Sequence, residues 1–579
     1  MVTGGDDGNA AAGGGTGDVP GGAGDAPDGV ADAPGGVADD RRLVMAPHLR
    51  GLEPDPHRGV EVDQKSPGEL DEAVPRGEFI RSVVGTIAGL AVAALVYLVM
   101  PGDLAHNARL TAAVAVLLGI WWMTECIPIP ATALVPLIAF PVLGDDISVD
   151  DVGAQYGNNI IFLFMGGFLI AIAMQRWNLH RRIALLTVRA MGTRSTRVIA
   201  GFMIATGFLS MWVSNTATAV MMLPIGVSVL MLASELGGGD GDGKTAMPEM
   251  DPQEDPNSDA VKEAVIRSNF GTALMLGIAY AASVGSLATI IGTPPNTLLA
   301  GYLSAEHDIQ LGFGQWMLVG LPLALVMLVI TWLLLTKVLF KPEIERIPGG
   351  RKLFDDELRR LGPTSRGEKR VLAVFVAAAV SWVAVPLVFE EPPISDAGIA
   401  LAAGLLLFLL PAGTERGVRL LTWDAALALP WGVLLLFGGG LALSSQFSGS
   451  GLTDWIGAQA GALGALPVVL LVVVAATGIL FLTELTSNTA TAATFLPVAG
   501  GVALGLGLDP MLLAVPVALA ATCAFMLPVA TPPNAIAYGS GYVTIGQMIR
   551  GGLWLNLIGI VLITLVTMTL LVWVFGLTV

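Results

Sequence analysis

From Val83 to the end of the chain, long uncharged apolar runs alternate with short polar gaps, and this alternation limits the fold more than any other feature. A helix of about 20 apolar residues spans a bilayer, whose hydrocarbon offers no partner to an exposed amide. The runs predict spans near 83–100, 108–124, 131–144, 156–175, 270–299, 316–339, 371–389, 396–412, 426–446, 511–538 and 552–577. Two further apolar segments, 198–232 and 463–500, are too long for one span and are interrupted midway by polar triplets, as re-entrant hairpins are. The expected fold is an all-α polytopic membrane protein with eleven transmembrane helices and two re-entrant hairpins. Charged residues make up 13% of the chain, against about 25% in soluble domains.

Residues 1–78 are a Gly/Ala/Asp/Pro tail with too little apolar area to offset its ordering entropy, so disorder is expected there. A first membrane repeat is expected over 79–340, carrying an acidic, flexible insertion at 233–267. A basic cytoplasmic linker follows over 341–370, with a short surface helix whose basic side chains suit anionic headgroups. A second membrane repeat fills 371–579. Lys and Arg concentrate at cytoplasmic span ends. Arg176, Arg181, Arg182, Arg189, Arg194 and Arg197 fall in one gap, and Lys337 to Arg370 in another. Arg416, Arg419 and Arg550 mark two more. The alternate loops 144–155, 300–315, 390–395, 447–462 and 499–510 hold neither Lys nor Arg. This places the N-terminus in the cytoplasm and the C-terminus outside, in a multi-pass protein of the cell membrane.

Several functions are excluded. The net charge of −17 and the absence of a basic stripe leave no footprint for nucleic acid. The two cysteines, Cys126 and Cys523, make neither a disulfide framework nor a thiolate cage. No P-loop and no nucleophile–base constellation is present, so neither ATP-driven transport nor enzymatic catalysis is supported.

An internal repeat carries the remaining signal. Ser214-Asn215-Thr216-Ala217-Thr218-Ala219 recurs in the second half as Ser487-Asn488-Thr489-Ala490-Thr491-Ala492, and each copy ends at Leu-Pro. Gly292-Thr293-Pro294-Pro295-Asn296 recurs as Ala530-Thr531-Pro532-Pro533-Asn534, again downstream of its triplet. The loop count starts the first hairpin inside and the second outside, so the repeats are inverted, as in alternating-access carriers. A Pro-Pro pair breaks a helix, so the spans at 270–299 and 511–538 should break at Pro294-Pro295 and Pro532-Pro533. Broken backbone in hydrocarbon persists only where protein, water or ligand satisfies it.

The broken ends supply complementary chemistry. Half-helix N-termini suit a carboxylate or another oxyanion, and half-helix C-terminal carbonyls suit sodium. Ser214, Thr216, Ser487 and Thr489 add hydroxyls, and Asn215 and Asn488 offer both donor and acceptor. Thr218 and Thr491 read as interhelical packing. Neither hairpin tip contains Lys or Arg, and Glu484 is the single acid near a tip. The histidines lie in tails or loops, which favours sodium over proton coupling.

These motifs resemble the divalent anion:sodium symporter family over roughly residues 80–579. Trp121-Trp122-Met123-Thr124-Glu125-Cys126-Ile127-Pro128 looks like the family's WWxTExxP signature, and Ile161–Phe168 is also similar. The resemblance implies one sodium site at Ser210, Ser214 and Asn215 with a carbonyl near Gly292. It implies a second at Thr483, Thr486 and Asn488 with a carbonyl near Ala530. Substrate carboxylates would meet Asn215-Thr216 and Asn488-Thr489, flanked by Ser214 and Ser487 and helped by Thr293-Pro294 and Thr531-Pro532. It further implies a homodimer with a scaffold and a moving, elevator-type transport domain. Glu125, at the cytoplasmic edge, reads as a packing or hinge residue. The leading reading is Na⁺-coupled uptake of a C4-dicarboxylate. Citrate or sulfate symport, dicarboxylate exchange, an anion channel and a proton-linked efflux carrier are the alternatives.

Overall fold

A computed structural model describes residues 74–237, 259–347, 350–389 and 391–578, and its regular elements are helices. In chain order these begin with α1 (Arg76–Val99), α2 (His106–Thr124), α3 (Ile129–Thr132), α4 (Pro136–Leu143), α5 (Val149–Ala154), α6 (Asn159–Arg176), α7 (Leu179–Met191) and α8 (Ser195–Ser210). They continue with α9 (Asn215–Gly237), α10 (Asp259–Arg267), α11 (Asn269–Ser286), α12 (Pro294–His307), α13 (Phe313–Leu333), α14 (Gly350–Arg360), α15 (Arg366–Val388) and α16 (Asp396–Leu409). The last are α17 (Trp423–Ala426), α18 (Trp431–Gly449), α19 (Leu452–Ala460), α20 (Val468–Thr483), α21 (Asn488–Gly505), α22 (Met511–Thr522), α23 (Pro532–Gly539), α24 (Ile545–Val566) and α25 (Val572–Phe575). Ser148, Ser365 and Thr544 start their helices with capping boxes closed by Asp151, Glu368 and Gln547.

Among the described residues, eight helices are long and apolar enough to cross a membrane, which makes this an all-α polytopic membrane protein. Only 17% of the apolar window of α1 is buried, against 61% of that of α18. Helix α1 therefore lies at the periphery, whereas α18 belongs to the interior. Helices α8 and α20 have 16 residues each. At 1.5 Å per residue they reach about 24 Å, short of a hydrocarbon core about 30 Å thick.

The centre of the molecule is built from α11 and α22. Every residue of α11 from Phe270 to Ser286 is buried, and so is all of α22. Close approach of α8 to α11 rests on two glycines. A Cβ at Gly285 would fall onto the backbone of Gly207, so no larger residue fits that crossing.

Three expectations from the sequence are corrected. The chain is already helical from Arg76, inside the stretch expected to be a tail, while residues 1–73 of that tail lie outside the described residues. Residues 238–258 of the acidic insertion also lie outside them, but Asp259–Arg267 form α10, with Val265 buried against the start of α11. The helices at 269–286 and 511–522 stop before the prolines. The stretches 287–293 and 523–531 are non-helical, and each Pro-Pro pair opens the following helix at its first two positions. A missing N–H costs nothing there, because that donor has no helical partner in any case.

The expected linker helix is α14, and it docks on protein. Glu357 pairs with Arg181 at 2.9 Å and Asp355 with Arg189 at 2.7 Å, both arginines lying on α7. Nearby, Arg182 of α7 pairs with the largely buried Glu368 at 2.8 Å.

Replacing Gly285 with Ala should destabilise the purified protein by about 2 kcal/mol, through overpacking against a neighbouring backbone. Its thermal unfolding midpoint in detergent should drop; an unchanged midpoint would contradict the close α8–α11 crossing.

Candidate functional site

Both repeats place their polar motifs at helix ends. Ser487 precedes α21, which starts at Asn488, and Asn215 likewise starts α9. Thr293 and Thr531 are extended residues immediately before α12 and α23. The N-termini of α9, α12, α21 and α23 thus carry all four motifs, while α8, α11, α20 and α22 end just before them. A helix N-terminus concentrates unpaired N–H groups and positive potential, and a C-terminus presents unpaired carbonyls.

The N-termini of α9, α12, α21 and α23 border one chamber of about 720 Å³. Its walls include Ser214, Asn215 and Thr216 from the first triplet and Ser487, Asn488 and Thr489 from the second. Gly292, Thr293 and Pro294 line it from one interruption, and Ala530, Thr531 and Pro532 from the other. Thr486 lines it as well. Every residue expected to meet substrate therefore borders the same space, although the two copies of each motif stand in opposite halves of the sequence.

Ser210 and Thr483 stand behind the wall rather than on it. Ser210 Oγ donates to Ala282 O at 2.5 Å, and Thr483 Oγ1 lies 2.8 Å from Asn488 Oδ1 and 3.1 Å from Ala521 O. Both side chains are fully buried. Each ties the end of one half-helix to the interrupted span beside it. Thr218 and Thr491 behave as packing residues: Thr218 Oγ1 donates to Ser214 O at 3.1 Å, and Thr491 pairs with Thr486 at 2.7 Å.

The polar backbone of each interruption is held by the asparagine that closes the TPPN motif, a role the sequence reading did not assign. Asn296 Nδ2 donates to Thr289 O at 2.9 Å and Leu287 O at 3.3 Å. Asn534 Nδ2 donates to Ala524 O and Leu527 O, each at 3.2 Å. Their retention in both copies was the available signal. The first interruption also meets the end of α22, with Thr293 Oγ1 3.4 Å from the buried Thr522 Oγ1.

Beyond that shared device the copies differ. In the second repeat the buried carboxyl group of Glu484 gathers the N–H groups of the interruption. Its Oε1 accepts from Phe525 N at 2.8 Å, Met526 N at 2.9 Å and Asn556 Nδ2 at 2.6 Å. Its Oε2 accepts from Leu527 N at 2.9 Å. With the two Ser-Asn-Thr triplets aligned, Met211 occupies the equivalent position of the first repeat. There the N–H groups of Leu287 and Ala288 use local carbonyls, Trp316 Nε1 donates to Leu287 O at 3.1 Å, and Thr289 Oγ1 donates to Met211 O at 2.5 Å.

The donor set suits a hard monovalent cation and a small oxyanion. The chamber supplies hydroxyls, amide oxygens, carbonyls and helix N-termini, and no group of three His, Cys, Asp or Glu side chains is assembled among the described residues. Among the described residues, Arg81 and Glu125 are the only ionisable ones on its wall, and both are exposed. Glu125, expected to pack or hinge, borders the chamber. It ends α2 in a left-handed conformation (φ 48°) that turns the chain at the rim.

A family model described as the sodium:sulfate symporter transmembrane region matches residues 81–577. The sodium-dependent dicarboxylate transporter SdcS of Staphylococcus saprophyticus is 42% identical over 506 residues, covering 86% of this chain and 93% of that protein. The protein of the same name from Staphylococcus aureus (strain USA300) is 40% identical over 492 residues, covering 83% and 90%. Among solved structures, the Alcanivorax borkumensis YdaH transporter matches at 14% identity over 85% of this chain and 97% of that one, with a TM-score of 0.49, too remote to bear on function. With its motifs gathered in one chamber and the family match running through nearly all of its membrane portion, the chain belongs to the sodium:sulfate symporters, the family of divalent anion:sodium symporters.

Proposed function

We propose that this protein couples sodium entry to uptake of a C4-dicarboxylate such as succinate, malate or fumarate. The observation that carries the reading is the convergence of four helix N-termini and two Ser-Asn-Thr triplets on one chamber. The relatives named as sodium-dependent dicarboxylate transporters support the choice of substrate. The family description favours sulfate as the second reading.

A bare dianion is costly to desolvate, and the hairpin tips offer it no fixed cation. Sodium supplies the missing charge. One ion is held by Ser214 and Asn215 with the Gly292 carbonyl, Ser210 supporting them from behind. The other is held by Thr486 and Asn488 with the Ala530 carbonyl, Thr483 supporting from behind. The substrate carboxylates then meet Asn215-Thr216 and Asn488-Thr489 beside the starts of α12 and α23. Each tenfold sodium gradient drives entry by about 1.4 kcal/mol per ion. Each net positive charge carried inward adds about 2.3 kcal/mol per 100 mV.

The architecture in this reading is a pair of inverted repeats, over 79–340 and 371–579, joined by the linker at 341–370. Eleven helices cross, and α8–α9 and α20–α21 are re-entrant hairpins. The hairpins and both interrupted spans move together as an elevator against a scaffold in a homodimer. The N-terminus is cytoplasmic, so the rim carrying Arg81 and Glu125 opens to the cytoplasm.

Reconstituted protein should take up labelled succinate when an inward sodium gradient is imposed, and uptake should collapse when choline replaces sodium. Equal uptake in choline would contradict sodium coupling, and sodium-driven sulfate uptake without succinate uptake would transfer the reading to sulfate. Glu484→Gln places an amide against N–H donors that now have an acceptor. It should cost about 2 kcal/mol of stability and raise the sodium concentration for half-maximal uptake. A wild-type melting curve and sodium response in that variant would contradict the role given to Glu484.

A further inference from the structure

The start of α1 and the end of α2 are fastened together at the chamber's edge. Ser82 Oγ donates to Cys126 O at 2.7 Å, and a Cβ at Gly85 would sit 2.7 Å from Thr124 Cβ, so the two backbones are in close register. Arg81 precedes Ser82, and Glu125 precedes Cys126. The fastening brings one cation and one anion to the same rim. Neither is paired with the other or with any other described residue. Deeper in, the chamber wall carries hydroxyls, amides and helix ends but, among the described residues, no ionisable side chain.

We propose that Arg81 and Glu125 form a charged rim that guides ion traffic at one face of the transporter, Arg81 acting on the dianion and Glu125 on sodium. This rests on the reading of the chamber as a sodium-coupled dianion site. A dianion leaving the helix N-termini meets Arg81 before bulk water, and a sodium ion meets Glu125. The two charges partly cancel at long range, so the rim does not trap either solute. By microscopic reversibility Arg81 raises and Glu125 lowers the apparent affinity for dianion arriving from that face, Glu125 favours sodium there, and the other face is left untouched. The interaction acts through solvent, which makes it weak and strongly sensitive to salt.

The test uses the full chain in proteoliposomes of determined orientation, with succinate half-saturation measured from each face at low and at high ionic strength. Arg81→Gln should raise half-saturation at the rim face about fivefold at low ionic strength, as one unit charge acting on a dianion across solvent would. Glu125→Gln should lower it and raise the sodium requirement from that face. Arg81→Lys should behave as the wild type, both differences should fade in high choline chloride, and the opposite face should be unchanged throughout. Shifts that are absent, equal at both faces or indifferent to salt overturn the rim. If the wild type carries sulfate instead of succinate, the same comparison is run with sulfate. A wild type that moves neither dianion overturns both readings, whereas sodium-driven transport with kinetics blind to these substitutions overturns the rim alone.

Discussion

Four helices of this protein, α8, α11, α20 and α22, stop within its interior, and much of the structure answers to the backbone groups they leave open. In hydrocarbon an unpaired amide or carbonyl is expensive, so such ends persist only where something satisfies them. Here the answers come in pairs. Asn296 and Asn534 hold the carbonyls of the two non-helical stretches, Ser210 and Thr483 pin the neighbouring half-helices to α11 and α22, and Thr293 meets Thr522 at the end of α22. Small residues make this possible, because only glycine lets α8 lie against α11 at Gly207 and Gly285. The N-termini of α9, α12, α21 and α23 face the chamber, where ions and substrate would complete them in the proposed reading.

The two halves reach this arrangement by different means. The first relies on neutral donors and local turns, with Trp316, Asn296 and Thr289 sharing the work. The second uses Glu484, whose oxygens collect three successive backbone N–H groups and Asn556. A carboxyl group buried this deeply is tolerable because its donors are fixed around it. Duplication thus preserved the outline of each half while the fastenings diverged. In the proposed reading, the two sodium sites would therefore have similar ligands on differently held backbones.

Much of this was legible in the sequence, for a specific reason. The triplets and the Pro-Pro pairs each occur twice and in the same order, and residues with such restrictive backbone demands announce interruptions wherever they stand. Their placement on one chamber wall followed directly. The position of the breaks was less legible: the prolines open α12 and α23, and the chain unwinds before them, because proline suits a helix start better than the middle of a break. The partners of Glu484, from Phe525 to Leu527 and at Asn556, lie on later elements, a separation no local pattern reveals. The place of Glu125 on the chamber wall was not legible, because its neighbourhood depends on how α1 is fastened to the end of α2, through the hydrogen bond from Ser82 to Cys126.

The central claim is that sodium and dianion share one chamber built from helix ends. It is tested most directly by cryo-electron microscopy of the full chain in lipid nanodiscs with succinate, in sodium and in choline. Dianion density is expected between Asn215-Thr216 and Asn488-Thr489, flanked by ion density at Gly292 and Ala530, all of it lost in choline. Succinate bound elsewhere, bound equally well in choline, or accompanied by unbroken helices through 287–293 and 523–531 would contradict it.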